Sequence, residues 1–333
     1  MNLILISLLS IALSFGISVF ITPYVIKLSK KLGIVAKPGG RRIHDHDMPL
    51  MGGIGIYLGI VITNIILLLG FFFVKKYSIN SVFLQQFWGV MIGATFISVV
   101  GLLDDKFELN GKIQLVAMLI AGVILAISNV RITYLSNPFP NATGNIVTPI
   151  LWGIIITVIW TTMVTKAVDC IDGMDGLCAG FAVITGLTFT IMAITKTHVN
   201  EVNPFLIPLT GALVGASLGF LVYNFPPAKI FMGTIGSQLI GFTLASISIM
   251  GAYKITIIGI LAPLLILGIP VFDTTYVVLK RISEKRSIGE ADKSHIHHRL
   301  QQGGKSVRNV ILTIYMLTII LCLIALYIFF TAD

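Results

Sequence analysis

The segment Lys166-Ala-Val-Asp-Cys-Ile-Asp-Gly-Met-Asp-Gly-Leu177 sets three carboxylates, Asp169, Asp172 and Asp175, between two long apolar runs. Ionisable groups beside a bilayer core are costly, and they mark function. Spaced every three residues, the acids share one face wherever the segment is helical. Such a face repels itself unless a cation sits on it, and hard carboxylate oxygens suit Mg²⁺ or Ca²⁺. The competing reading is a solvated loop, in which Asp and Gly are ordinary turn residues.

Working outward, the apolar runs define the class. The 333-residue chain is 56% hydrophobic and 11% charged, with a mean hydropathy of +0.96. Soluble domains carry about 25% charged residues, so an ordinary soluble fold is excluded. The pattern predicts an all-α polytopic membrane protein, one domain over residues 1–333, without internal repeats or linkers. Ten stretches approach the roughly 20 apolar residues that a membrane-crossing helix needs. They are Leu3–Leu28, Met51–Val74, Phe87–Leu103, Ile113–Val130, Ile150–Val164, Leu177–Ile194, Pro204–Tyr223, Ser237–Tyr253, Ile255–Leu279 and Val310–Phe330. The first has no basic residue ahead of it and resembles a first span more than a cleavable signal. Cys170, Cys178 and Cys322 show neither disulfide nor metal spacing.

Eighteen of the 23 Lys and Arg fall in the loops and helix ends that follow odd-numbered spans. The excess of basic residues marks the cytoplasmic side, so both termini are expected outside. The net charge of +9 fits an anionic membrane surface or phosphorylated substrates; nothing points to nucleic acid.

The polar clusters share that basic side. Lys37–Pro49 carries Arg42, His44 and two glycines. Asp104-Asp105 closes the third span, and such adjacent acids bind a metal or share a proton. Lys112 follows, within reach of a phosphate unless it is a snorkelling interfacial lysine. Met232-Gly-Thr-Ile-Gly-Ser237 leads into the eighth span, where small residues let helix-end N–H groups meet phosphate; a tight turn is the alternative. His295-Ile-His-His298 offers three imidazoles for phosphate, metal or proton transfer. In the ninth span, Gly268-Ile-Pro-Val-Phe-Asp273 joins a helix breaker to an acid. These segments suggest one composite cytoplasmic site in which Asp104, Asp105, Asp172 and Asp175 converge.

The ordered set Asp-Asp, Asp-Gly-x-Asp-Gly-Leu, Phe-Met-Gly-x-x-Gly-Ser, Pro-x-Phe-Asp-Thr and His-x-His-His resembles the polyprenyl-phosphate N-acetylhexosamine-1-phosphate transferases. That family includes the enzymes that start teichoic acid and O-antigen (lipopolysaccharide) synthesis, and the related phospho-MurNAc-pentapeptide transferase. The likeness covers nearly the whole chain, including Arg42-Ile-His44 and Met48–Gly53; Arg299-Leu300 suits the glucosamine-type branch. It implies a bacterial plasma-membrane enzyme with a cytoplasmic active site. Undecaprenyl phosphate would attack the β-phosphorus of a UDP-N-acetylhexosamine, releasing UMP, with Mg²⁺ as cofactor and Mn²⁺ as a substitute. Membrane lipid surrounds such a protein, and a homodimer is compatible with it. By resemblance, Asp104, Asp105, Asp172 and Asp175 are catalytic, Lys112, Lys166, His295, His297 and His298 bind substrate, and Asp169, Asp172, Asp175 and Thr234 face the metal.

The chain departs from the family at three of these places. Lys166-Ala-Val-Asp169 stands where the family reads Asn-Ala-x-Asn, and Thr234 replaces the acid of Met-Gly-Asp. Asp169 is expected to join the metal face in compensation, with Thr234 giving a neutral oxygen; the other course is an ion pair with Lys166. The rival functions are an impaired paralogue that binds lipid phosphate or nucleotide-sugar as a regulator or scaffold, and a transporter. The plain external loops argue against a transporter.

Overall fold

A computed structural model describes residues 3–37, 47–74, 81–135, 146–197, 205–251, 257–287, 294–304 and 306–331. The segment holding Arg41, Arg42 and His44, and the turn between the eighth and ninth expected spans, lie outside the described residues. Twelve helices are described in them: α1 (Leu3–Leu32), α2 (Gly53–Val74), α3 (Ser81–Phe107), α4 (Gly111–Ile127), α5 (Ile150–Ile171), α6 (Leu177–Thr197), α7 (Leu206–Asn224), α8 (Gly233–Met250), α9 (Ile257–Ile266), α10 (Gly268–Ser283), α11 (Ile296–Gln302) and α12 (Val307–Thr331). Two antiparallel hairpins complete them, β1 (Val35–Ala36) with β2 (Met48–Pro49), and β3 (Tyr134–Leu135) with β4 (Ile146–Val147). All three cysteines are free thiols.

Eight of these helices are long and apolar enough to cross a membrane, which makes this an all-α polytopic membrane protein. α4 is an apolar helix of 17 residues. The ninth expected span is divided: α9 ends at Ile266, and α10 starts at Gly268. Pro270 has no N–H to give the Ile266 carbonyl, so the helix breaks there.

Burial is inverted relative to a soluble protein. α1 buries Ser7, Ser10, Ser14, Ser18 and Thr22 while Leu5, Leu8, Phe20 and Tyr24 stand exposed. Lipid gives no hydrophobic incentive for helices to pair, so close backbone approach and hydrogen bonding decide the contact. The serine stripe faces Gly211, Gly215 and Gly219 of α7, where any added methyl would overlap α1 at Ser10 and Ser14 or press on Phe15 and Ser18. Three glycines in a helix cost roughly 3 kcal/mol against alanine, and the α1–α7 contact offsets that loss. The hydroxyls of Ser10 and Thr22 bond back to Ser7 O (2.9 Å) and Ser18 O (2.7 Å), whereas the buried Ser18 hydroxyl has no partner among the described residues.

α8 is the central strut. Its first turns abut Gly53 of α2 and Gly101 of α3 through Gly236 and Ile235, and Gly241 meets the Thr165 backbone of α5. This packing brings the ends of α3, α5 and α8 together, and the polar clusters meet there.

Candidate active site

A cavity of about 1330 Å³ lies at this junction. Its wall includes Asp104, Asp105, Glu108, Asp169, Asp172 and Asp175, together with Thr234, Ser237, Asn224, Gln114 and His298. Lys106 is the one lysine or arginine on it among the described residues, its ammonium 5.0 Å from the Phe107 ring.

Asp104 and Asp105 end α3 with different duties. Asp104 is buried, and its Oδ1 accepts from Gln114 Nε2 at 2.8 Å. Asp105 accepts from the Thr234 N–H at 2.8 Å and the Ile235 N–H at 3.4 Å, the first amides of α8. A carboxylate there complements the positive helix end. The sequence left these amides open to a phosphate or to a tight turn; in the structure Asp105 holds them. Gly233 permits this approach. Its φ of +72 suits glycine, and a methyl there would overlap Asp105 and the Leu50 carbonyl.

The Asp-Gly-Met-Asp-Gly turn joins α5 to α6. Asp172 follows the last residue of α5 and accepts no hydrogen bond among the described residues. Burial, followed by the nearby Asp169, Asp105 and Asp175, pushes its carboxyl up to about 8. Asp175 Oδ2 accepts from the Ala228 N–H at 3.1 Å. Gly176, with φ +76, donates its N–H to Asn224 Oδ1 at 2.8 Å, and Asn224 Nδ2 donates to Ile230 O at 2.9 Å. Asn224 therefore ties the acidic turn to the loop before α8.

The expectation for Asp169 is corrected. Its Oδ2 is 2.8 Å from Lys166 Nζ and its Oδ1 accepts from Ser237 Oγ at 2.6 Å. It lines the cavity but pairs with the lysine one turn earlier, which captures it because i,i+3 neighbours on a helix meet. Lys112 is corrected too. Glu108, at φ +50, turns the chain between α3 and α4; Gln114 reaches back to the acids, and Lys112 stays exposed outside the cavity lining.

The three histidines separate. His295 Nδ1 lies 2.7 Å from Asp273 Oδ2, and Asp273 Oδ1 accepts from the Ile296 N–H at 2.8 Å. His297 is 2% exposed and packs on Gly173, where an added methyl would overlap its ring. Burial and the flanking His298 and His295 hold its imidazole down at about 4, so it is neutral at pH 7. His298 alone of the three lines the cavity. Asp273 is 5% exposed and anchors the histidine segment.

No three His, Cys, Asp or Glu side chains form a protein cage for a metal among the described residues. Mg²⁺ usually takes one or two carboxylates and completes its shell with water and substrate phosphate. Asp172 fits that mode, with Asp175 in the same turn and its Oδ2 on the Ala228 N–H; Asp105 and Asp169 have both oxygens on protein donors.

The fold and cavity define a polytopic membrane protein whose polar site is dominated by carboxylates. Residues 87–252 match the sequence model of glycosyl transferase family 4. The probable undecaprenyl-phosphate N-acetylglucosaminyl 1-phosphate transferase of Bacillus subtilis (strain 168) is 36% identical over 310 residues, spanning 92% of this chain and 80% of that one. The decaprenyl-phosphate N-acetylglucosaminephosphotransferase of Mycobacterium leprae (strain TN) is 31% identical, over 90% of this chain and 78% of its own. A phospho-N-acetylmuramoyl-pentapeptide-transferase of Streptococcus pyogenes is 29% identical, over 90% and 89%. The chain belongs to glycosyl transferase family 4.

Proposed function

We propose that the protein transfers N-acetylglucosamine 1-phosphate from its UDP conjugate to undecaprenyl phosphate, releasing UMP and starting a cell-envelope polymer such as teichoic acid or lipopolysaccharide. The observation that carries this reading is the acidity of the cavity wall: among the described residues, six carboxyl groups line it against one lysine. Such a wall repels a diphosphate unless a cation enters with it. The relatives' printed names supply the substrate class.

In the reaction, an oxygen of the lipid phosphate attacks the β-phosphorus, and the bond to the bridging α–β oxygen breaks. Asp172 and Asp175 would hold Mg²⁺, or Mn²⁺ in its place, which would supply charge neutralisation of the diphosphate. His298 donates a hydrogen bond to a phosphate oxygen. Lys106 balances charge at the rim, and Lys166 keeps Asp169 paired. Asp105 orders the start of α8, and Asp104 stays fixed by Gln114 beside the attacking phosphate. The excess of basic residues supports a cytoplasmic position for this end of the bundle in a bacterial plasma membrane, where UDP-sugars reside, with both termini outside.

One observation favours a second reading, a binder of lipid phosphate or nucleotide-sugar without turnover. Asp169 is paired with Lys166, so it does not replace the acid that the family carries at Thr234. The deciding experiment is UMP release by the purified protein in detergent, with undecaprenyl phosphate, a panel of UDP-sugars and Mg²⁺ or Mn²⁺ titrated. Turnover with UDP-N-acetylglucosamine supports the transferase; binding of UDP-sugar with no UMP released under any condition supports the binder.

A further inference from the structure

We infer that Tyr315 of α12 is a positioning residue that pins the acidic turn from outside the cavity. Its hydroxyl donates to the Gly176 carbonyl at 2.5 Å, across 139 residues of chain. The ring fits only because residue 180 is glycine; a methyl there would overlap the phenol. Gly176 is thus held on both sides. Its N–H is bound by Asn224 and its carbonyl by Tyr315, so the peptide planes flanking it are fixed directly after Asp175.

The surrounding apolar contacts give this bond a mechanical role. A small buried cluster of Leu177, Val310, Ile311 and Ile314 takes in Met174 from the acidic turn and Ile296 and Leu300 from the histidine helix, with Tyr315 at its edge. α12 is therefore the common support of the acids and the histidines. Tyr315 is absent from the cavity lining and acts through the turn.

The functional arm of the test rests on the transferase reading; the structural arm does not. Tyr315→Phe keeps the ring over Gly180 and removes only the hydroxyl. The Gly176 carbonyl still accepts from the Gly180 N–H at 2.9 Å, so the fold survives. Hydrogen exchange over residues 172–180 is expected to quicken at least about threefold in Tyr315→Phe. The control is Thr318→Val on the same helix, which loses a bond to its own Ile314 carbonyl and leaves that exchange at the wild-type rate. In the UMP-release assay, Tyr315→Phe is expected to lower kcat about tenfold with KM for the UDP-sugar changed less than about twofold, a fold-change equivalent to about 1.4 kcal/mol. Unchanged exchange over 172–180 overturns the inference whether or not the protein turns over. Quickened exchange with wild-type kcat overturns the positioning role, and quickened exchange in Tyr315→Phe beside a wild type that releases no UMP leaves the pinning contact standing while the transferase reading falls.

Discussion

Asp273 grips the histidine segment at two points: its Oδ2 lies 2.7 Å from His295 Nδ1, and its Oδ1 takes the Ile296 N–H at 2.8 Å. The acid sits on α10, three residues beyond the proline that divides the ninth span, and is 5% exposed. That break and this buried pair of hydrogen bonds together bring α11 to the cavity.

Removing the grip is predicted to release His298. A hydrogen bond to a charged group contributes about 1.5–3 kcal/mol. Asp273→Ala should therefore cost at least about tenfold in UMP release, and it should also lower the melting temperature. Asp273→Asn keeps one acceptor and should retain more of both. Equal losses in the two variants would show that the acceptor geometry is immaterial.

His298→Ala should weaken UDP-sugar binding or turnover about tenfold or more without unfolding the protein, since one charge-assisted contact is lost at the cavity wall. Isothermal titration with the UDP-sugar and a melting curve separate the two effects. Wild-type affinity and kcat in the variant would return His298 to a packing role.

His297 makes a different prediction. Its imidazole is held at about 4 against an ordinary 6.5, so the unfolded chain binds the extra proton first. The stabilisation is fully present above pH 6.5 and is lost as the pH falls through 6.5 toward 4. The whole span amounts to roughly 3 kcal/mol. Melting in detergent between pH 7.5 and 4.5 should fall more steeply for the wild type than for His297→Gln. Parallel slopes would assign the acid sensitivity to other groups.

Much of the architecture was legible because apolar runs of near-membrane length leave few alternatives, and the Pro270 break could be read as a kink from the residue itself. The acids of the central turn could be found for the same reason, as charges in a chain that carries few. What stayed hidden depends on contacts far apart in sequence. The Asp105–Thr234 bond spans 129 residues, so spacing alone left the α8 amides open to a phosphate. Three neighbouring histidines read alike, yet one is anchored, one buried and one set on the cavity. Lys112 was misplaced because a single positive-φ residue, Glu108, redirects the chain. For Asp169, i,i+3 spacing to Lys166 and to Asp172 was equally good, and only the packed structure shows the lysine as its partner.

That pairing carries its own prediction. Asp169→Asn should shift the half-saturating Mg²⁺ concentration less than about threefold, whereas Asp172→Asn should shift it more than about tenfold, the equivalent of one lost charged contact. Equal shifts would put Asp169 back among the metal-facing acids.

The transferase reading is tested most directly by following the β-phosphorus. UDP-N-acetylglucosamine labelled with ³²P at the β-position is incubated with purified protein, undecaprenyl phosphate and Mg²⁺. The account predicts that the label moves into the lipid fraction, that unlabelled UMP appears in equal amount, and that Asp172→Asn stops both. Label retained in the nucleotide-sugar at every Mg²⁺ concentration, with the protein folded and binding UDP-sugar, would contradict it.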